Sequence, residues 1–445
     1  MRIDNDIAQY LAGMIPVTRG KTASLTEMKY GNEEDNVKPA TEFLNECKKY
    51  PGLLDTAMAI EGLVCGRSIH ASGVIIFDAP YLEHNAMMKA PNGQPVTQWD
   101  MDNSSYCGGL KFDYLTIQNL DAMHLCLDFL VKYGYIEWQG TLRDTYNKYL
   151  HPDVLDYDSE EMWKMAENLE IVNLFQFQTQ VGAKAIQTIK PRSLTELGTA
   201  NAAMRLMVQG EDEEQPIDTF VRYKNNINEW YKCMKQKYQL NDSEIGIIEK
   251  YLKSVHGMAT MQEEVMQLSM DNHISDFTMT EANYLRKSIA KKKKKLQKEA
   301  HDKFYKHGLE IGTRSNMLDY VWNEVIRKQL GYSFSLPHIV AYSTIAVQEM
   351  NLAYHYPLIY WNAANLIVDA GANEEIEDNK STKYGKIASA IANFKQRSII
   401  VDRPLINEAK FSFVPDEDNN RIIFSFKGLC GIGDDIARAI VEHQP

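Results

Sequence analysis

The sequence predicts an α+β fold, mostly helical, with one small sheet set between helical regions. Three observations carry this. Apolar residues recur at helical spacing through most of the chain after about residue 120. Short β-prone runs cluster between residues 67 and 120. The chain has 445 residues and is 44% hydrophobic, enough for two or three domains with separate cores.

Taken in order, residues 1–66 read as short helices. Ile7, Tyr10, Leu11 and Met14 fall at helical spacing and Pro16 ends the run; a second helix spans about 40–49, before Pro51. Residues 71–77 read as a buried strand, 95–100 as a second, and 110–115 as a third, opened by Gly108 and Gly109. Helices follow at 121–133, 159–168, 243–271, 280–308 and 315–330, then 338–369 with an interruption at Pro357. Residues 422–426 return to strand, and Gly431-Ile432-Gly433 opens a last helix over 434–443.

Net charge is −12, which argues against a protein that coats nucleic acid with its whole surface. A local basic track remains compatible, because phosphate contacts act within about 8–10 Å. One exists: from Tyr284 to His307 there are ten Lys or Arg and two acidic residues, a balance of +8. A solvated helix face would give the same letters, since five consecutive lysines do not all point one way. No run of about 18 apolar residues is present, so no membrane span is expected. The N-terminus has no secretion signal, and the six cysteines have no metal-site spacing, so they read as reduced cytosolic thiols.

Several blocks, in order along nearly the whole chain, resemble the alpha subunit of bacterial DNA polymerase III, the C-family replicative polymerase. They are Glu61-Gly62-Leu63 with His70-Ala71-Ser72-Gly73-Val74, Leu110 to Leu115, Leu174-Phe175-Gln176-Phe177, His256-Gly257 with Gln262 to Met266, Glu281 to Lys293, and Gly331 to Tyr342. The resemblance implies a helical thumb over 1–66, the C-terminal part of a nucleotidyltransferase-like palm over 67–125, large helical fingers over 126–430, and at 431–445 the start of a helical hairpin-like DNA-binding element. It also implies the activity: template-directed DNA synthesis by two-metal nucleotidyl transfer, with Mg2+ ions about 4 Å apart held by carboxylates.

Of the three aspartates that the family supplies, Asp113 matches the third, as catalytic and metal-binding residue; from the residues alone, a strand-end aspartate facing solvent fits as well. Lys111, two residues earlier, points to the same face, where it either meets a phosphate or neutralises Asp113. The resemblance assigns Arg286, Lys287, Lys291, Lys292 and His338 to the incoming triphosphate, and His70, Arg205 and Gln262 to DNA or the template pocket; packing or capping roles fit His338, His70, Arg205 and Gln262 equally from the residues alone. Asp4-Asn5-Asp6 and Asp100-Met101-Asp102 carry the letters of the missing D-x-D pair but stand in the wrong places for it.

The sequence departs from the family where Leu336 replaces a lysine, Pro337 a serine, Gln178 a glutamate and Asn283 an aspartate, which puts the triphosphate contacts in doubt. The expected partners are primer-template DNA, deoxynucleoside triphosphates and an N-terminal polymerase fragment bearing the D-x-D aspartates, with a sliding clamp and replisome proteins further out. The expected setting is the cytoplasm of a bacterial, phage-infected cell. The alternative is a catalytically inactive module that grips primer-template or a replisome partner. A helical nucleic-acid scaffold of unrelated origin explains the basic stretch but not the ordered blocks.

Overall fold

The structure is a computed structural model and describes residues 4–18, 21–32, 38–64, 66, 68–204, 214–290, 294–329, 334–373, 382–395 and 399–444. It is mostly helical with small sheets, as the α+β expectation has it. The chain divides into two compact units, Met1–Thr116 and Ile117–Pro445.

In the first unit, the helices Asn5–Gly13, Leu25–Tyr30, Thr41–Lys48 and Leu53–Ile60 meet around Leu11, Met28, Phe43 and Cys47. Asp4 caps the first of them, its carboxylate accepting from Asp6 N–H at 3.0 Å, so Asp4-Asn5-Asp6 is a helix start. The β-prone run 71–77 forms strand Gly73–Ile76, paired antiparallel with Leu110–Asp113. The run at 95 forms Pro95–Thr97, which pairs instead with Met87–Lys89, a strand that its Met-rich sequence concealed. Asp100-Met101-Asp102 opens the short helix Met101–Tyr106, where Asp100 accepts from Asn103 N–H at 2.9 Å.

The second unit is built on two helices, Leu336–His355 and Leu358–Ala370, separated by Pro357 as its missing N–H requires. Both are buried over most of their surface, and Gln118–Lys132 packs along the second. A separate core gathers Trp230, Leu268, Phe304 and Leu318. At the chain's end Ile400–Asp402, Val414–Asp416 and Arg421–Ile423 form a three-stranded sheet, and the helix Asp434–Glu442 follows.

Two helices that the periodicity runs together are divided. The 243–271 stretch breaks into Asp242–Leu252 and Gln262–Met270, because His256 and Gly257 take positive φ. At Gly257 any Cβ would lie 2.4 Å from the Trp230 indole, so only glycine fits. The basic stretch 280–308 breaks into Met279–Ala290 and Lys294–Glu310. Tyr284 Oη donates to Glu299 at 3.1 Å, and Lys303 and His307 reach Glu281 at 3.0 and 3.6 Å, so the chain reverses between the two helices. The reversal puts Leu285 and Ile289 in one core with Ala300 and Phe304, which a single straight helix would hold apart.

Glu196 ties three parts of this unit together. Its carboxylate accepts from Lys224 Nζ at 2.7 Å and Arg192 N–H at 2.8 Å, and meets His256 Nε2 at 3.2 Å. Burial pushes the carboxyl up, but His256, Lys224 and the Arg192 N–H outweigh it and hold the group down at about 2. A depressed carboxyl stabilises the fold above its ordinary value and loses that contribution as protons bind. Unfolding free energy is therefore expected to fall as pH drops from about 4.5 toward about 2, and Glu196→Gln to flatten that part of the profile. Denaturant titrations of both proteins across this window check it.

Candidate active site and nucleic-acid face

Asp113 ends the Leu110–Asp113 strand. The register sets Gly73 opposite Asp113 and Ile75 opposite Lys111 on one face of the ribbon; Val74 and Phe112, with Ile76 and Leu110, occupy the other. Lys111 and Asp113 thus share a face, as their spacing requires, and Lys111 Nζ lies 3.0 Å from Asp113 Oδ1. The carboxylate is 44% exposed.

His70 stands beside this pair. Its Nδ1 accepts from Gly73 N–H at 2.7 Å and from Ser72 N–H at 3.1 Å, and lies 3.9 Å from Asp113 Oδ1. A ring nitrogen accepting from the backbone uses its lone pair for that purpose and carries no proton. The partner that neutralises Asp113 is therefore Lys111, and His70 fixes the turn entering the ribbon. Gly73 makes this arrangement possible: an added Cβ would lie 2.8 Å from Lys111 Cε and 2.9 Å from His70 Nδ1. A cleft of about 750 Å³ opens between this face and the Met87–Lys89/Pro95–Thr97 hairpin, with Lys111, His70 and Trp99 in its walls.

In the second unit a different constellation forms. Arg286, on Met279–Ala290, donates from Nη1 to Gln262 Oε1 at 3.1 Å and from Nε to Asn283 Oδ1 at 2.9 Å. Both acceptors are neutral amides. They aim the guanidinium without cancelling its charge, which is where the departure at Asn283 has its effect. Lys287 is exposed on the same helix. Gln262 N–H donates to Phe334 O at 2.8 Å, and Glu263 Oε2 accepts from Leu336 N–H at 2.9 Å. The start of Leu336–His355 therefore already holds a carboxylate of its own chain, the charge that a helix N-terminus favours.

His338 contributes there as a ring. It lies between Phe334, with centroids 5.3 Å apart, and Tyr342, at 4.1 Å; Tyr342 in turn stacks on Phe175 at 5.1 Å. The residue is exposed, with an aromatic neighbour four residues away on either side in sequence. The signal for this four-ring ladder was available in the spacing of Phe334, His338 and Tyr342, each four residues from the next. Nothing local pointed to Phe175, which arrives from a distant loop. Arg205, Lys291 and Lys292 lie outside the described residues.

Residues 1–116 match the family model described as the bacterial DNA polymerase III alpha NTPase domain, and residues 136–312 match the one described as the finger domain of the same subunit. The chain belongs to the bacterial DNA polymerase III alpha family. Along its whole length it is similar to a probable DNA polymerase, YorL, of Bacillus subtilis, at 51% identity. It is equally similar to a DNA-directed DNA polymerase of Bacillus phage SPbeta, and 27% identical to the DNA polymerase III subunit alpha of Aquifex aeolicus. The chain spans about a third of these relatives, 34%, 34% and 36% of their lengths.

Asp113 and Lys111 lie in the stretch matching the NTPase domain of this polymerase family, and Gln262 and Arg286 in the stretch matching its fingers. Among the described residues no group of three or more His, Cys, Asp or Glu is placed to hold a metal ion. Asp113 by itself offers one carboxylate, fewer oxygens than a Mg2+ ion takes. The five described cysteines are free thiols, and no helix among the described residues is long and apolar enough to cross a membrane.

Gly73→Ala tests the geometry around Asp113. The Cβ is expected to drive His70 off its two backbone N–H groups, costing on the order of 1–3 kcal/mol. Thermal unfolding checks the loss, and Gly73→Ala combined with His70→Ala should cost little more than either change alone.

Proposed function

We propose that this chain carries part of the catalytic palm and the nucleotide-binding fingers of a template-directed DNA polymerase. Its substrates are then primer-template DNA and deoxynucleoside triphosphates. Asp113 supplies one carboxylate to the Mg2+ ions of nucleotidyl transfer, with the others coming from polymerase sequence outside these 445 residues. Lys111 and His70 face the DNA from the palm ribbon. Arg286, Lys287 and the edge of His338, with Lys291 and Lys292, take the triphosphate, while Gln262 orients Arg286 and Arg205 serves DNA binding.

The observation that carries this reading is Asp113 itself. It is a half-exposed carboxylate on a paired strand opposite a glycine, in the stretch matching the family's NTPase domain. The surroundings of the ribbon support it. Val74, Ile76, Leu110, Phe112 and Tyr114 leave its other face apolar and exposed, and both strands have open edges among the described residues. Such a face calls for cover from further palm structure. Neutral amides aiming an arginine suit the fingers' part of the task, since among the described residues no carboxylate competes with a triphosphate for it.

One observation favours a second reading, in which the chain grips primer-template without catalysis: Lys111 already pairs with Asp113 at 3.0 Å. The same experiment decides between them. In the polymerase assembled with its remaining palm sequence, Asp113→Asn is expected to reduce primer extension by at least about 100-fold, the scale of losing a group that stabilises transition-state charge. Primer-template affinity should stay within about twofold, since a removed carboxylate costs no phosphate contact. Undiminished extension by Asp113→Asn would overturn the metal assignment.

A further inference from the structure

Glu349 is fully buried in the Leu336–His355 helix, and its carboxyl meets two donors from distant parts of the chain. Oε2 accepts from Phe175 N–H at 2.7 Å, and Oε1 accepts from Asn119 Nδ2 at 2.8 Å. Asn119 Nδ2 also donates to Asn173 O at 2.7 Å, which fixes the turn of that amide because a carbonyl only accepts. Both bonds converge on one loop. Asn173 and Gln176 within it hold positive φ, at 53° and 69°, a conformation that non-glycine residues keep only when surroundings impose it. Asn173 Nδ2 donates further to Asn365 and Asp369, and Trp361 Nε1 donates to Val172 O at 3.1 Å.

We propose that Glu349 is a positioning residue for the nucleotide face of the fingers: by holding Phe175 N–H and Asn119 it seats Phe175 against Tyr342 and thereby fixes the ring ladder that carries His338. The inference rests on the reading of that face given above. It adds a residue seven positions beyond Tyr342 on the same helix, two turns deeper in the core, with no contact to solvent.

Two features set this carboxyl apart from ordinary packing. Leucine or methionine would fill the same space, and burying a carboxyl without a cation is unfavourable: burial pushes Glu349 up to about 8, against the pull of Phe175 N–H and Asn119. Its two oxygens also match two donors. Glutamine offers one acceptor oxygen, so whichever way its amide turns, its NH2 group faces a donor. The chain thus retains a group whose burial is costly and whose geometry serves one loop. The element at the far end of that loop's contacts is His338, which is exposed.

The test uses the 445-residue chain with two readouts. Hydrogen exchange of the segment containing Phe175 reports the latch; equilibrium titration with dATP and Mg2+ reports the nucleotide face. Glu349→Leu removes both acceptors and Glu349→Gln leaves one. Glu244→Gln, which loosens the Arg314 ion pair elsewhere in the same unit, controls for general destabilisation. Exchange at Phe175 is expected to quicken in the order parent, Gln, Leu, and dATP binding to weaken in the same order, by about 10-fold or more for Leu, the scale on which positioning partners act. Glu244→Gln should leave both unchanged. Should Glu349→Leu fail to fold, the Gln variant alone still gives the ordering against the parent. Unaltered exchange at Phe175 in the folded variants would overturn the latch. Quickened exchange with unchanged dATP affinity would overturn the positioning role alone. A parent chain that does not bind dATP would instead sink the nucleotide reading, leaving exchange to judge the latch by itself.

Discussion

The second unit depends on one constraint: polar side chains on the buried stretch of the Leu336–His355 helix need partners. Gln348, Glu349 and Asn351 find them in backbone from distant parts of the chain. Gln348 donates to Leu150 O at 2.6 Å and to the Tyr146 hydroxyl. Asn351 exchanges bonds with the backbone of Asp156, accepting from its N–H at 2.8 Å and donating to its carbonyl at 3.0 Å. Glu349 takes Phe175. Backbone groups from three separate places in the chain, at Leu150, Asp156 and Phe175, are thus fastened to one helix. Removing any of these side chains leaves a peptide group without its partner, so the cost falls on the loop rather than on the helix.

The same logic explains which parts of the fold were legible in the sequence. Elements whose partners lie within a few residues read correctly. The Asn5–Gly13 helix stops before Pro16, Pro357 divides the two long helices, and the alternation at 110–113 sets Lys111 and Asp113 on one face. Elements decided by distant packing did not. The break at His256 and Gly257 is imposed by the Trp230 ring, which stands 27 residues earlier, and the reversal of the basic stretch by a core shared with Leu318. The strand expected over 95–100 stops at Thr97, because Asp100 caps the Met101–Tyr106 helix, accepting from Asn103 N–H three residues on.

The candidate site divides along the same line. Asp113, Arg286 and Gln262 were visible as letters in ordered blocks, but what the letters do depended on neighbours. Arg286 is held by two uncharged amides, one of them at the very position where the sequence departs from its family. A departure that seemed to remove charge from the fingers leaves the arginine without an ion pair among the described residues. His338 was expected at the triphosphate, with a packing or capping role as the alternative. Glu263 occupies the start of its helix, and the histidine becomes the middle of a ring ladder instead.

The two units also differ in how much of their burial they supply themselves. The second has a large apolar core, with buried side chains such as Glu349 and Asn351 bonded to distant backbone. The first relies on a four-residue core under its helices and a ribbon with Val74, Ile76, Leu110 and Phe112 on an exposed face. A two-stranded ribbon is marginally stable by itself. Here its inner face is also the one that bears Asp113, where the metal role proposed above would demand rigidity within about 0.5 Å. Those two demands conflict unless the outer face is covered. Whatever polymerase structure covers it would stiffen the strand at the same time as it brought the remaining acids. In such an arrangement the burial of Phe112 and the rigidity of the carboxylate next to it in sequence are one event, and the exposed apolar face is the reason the ribbon can be completed at all.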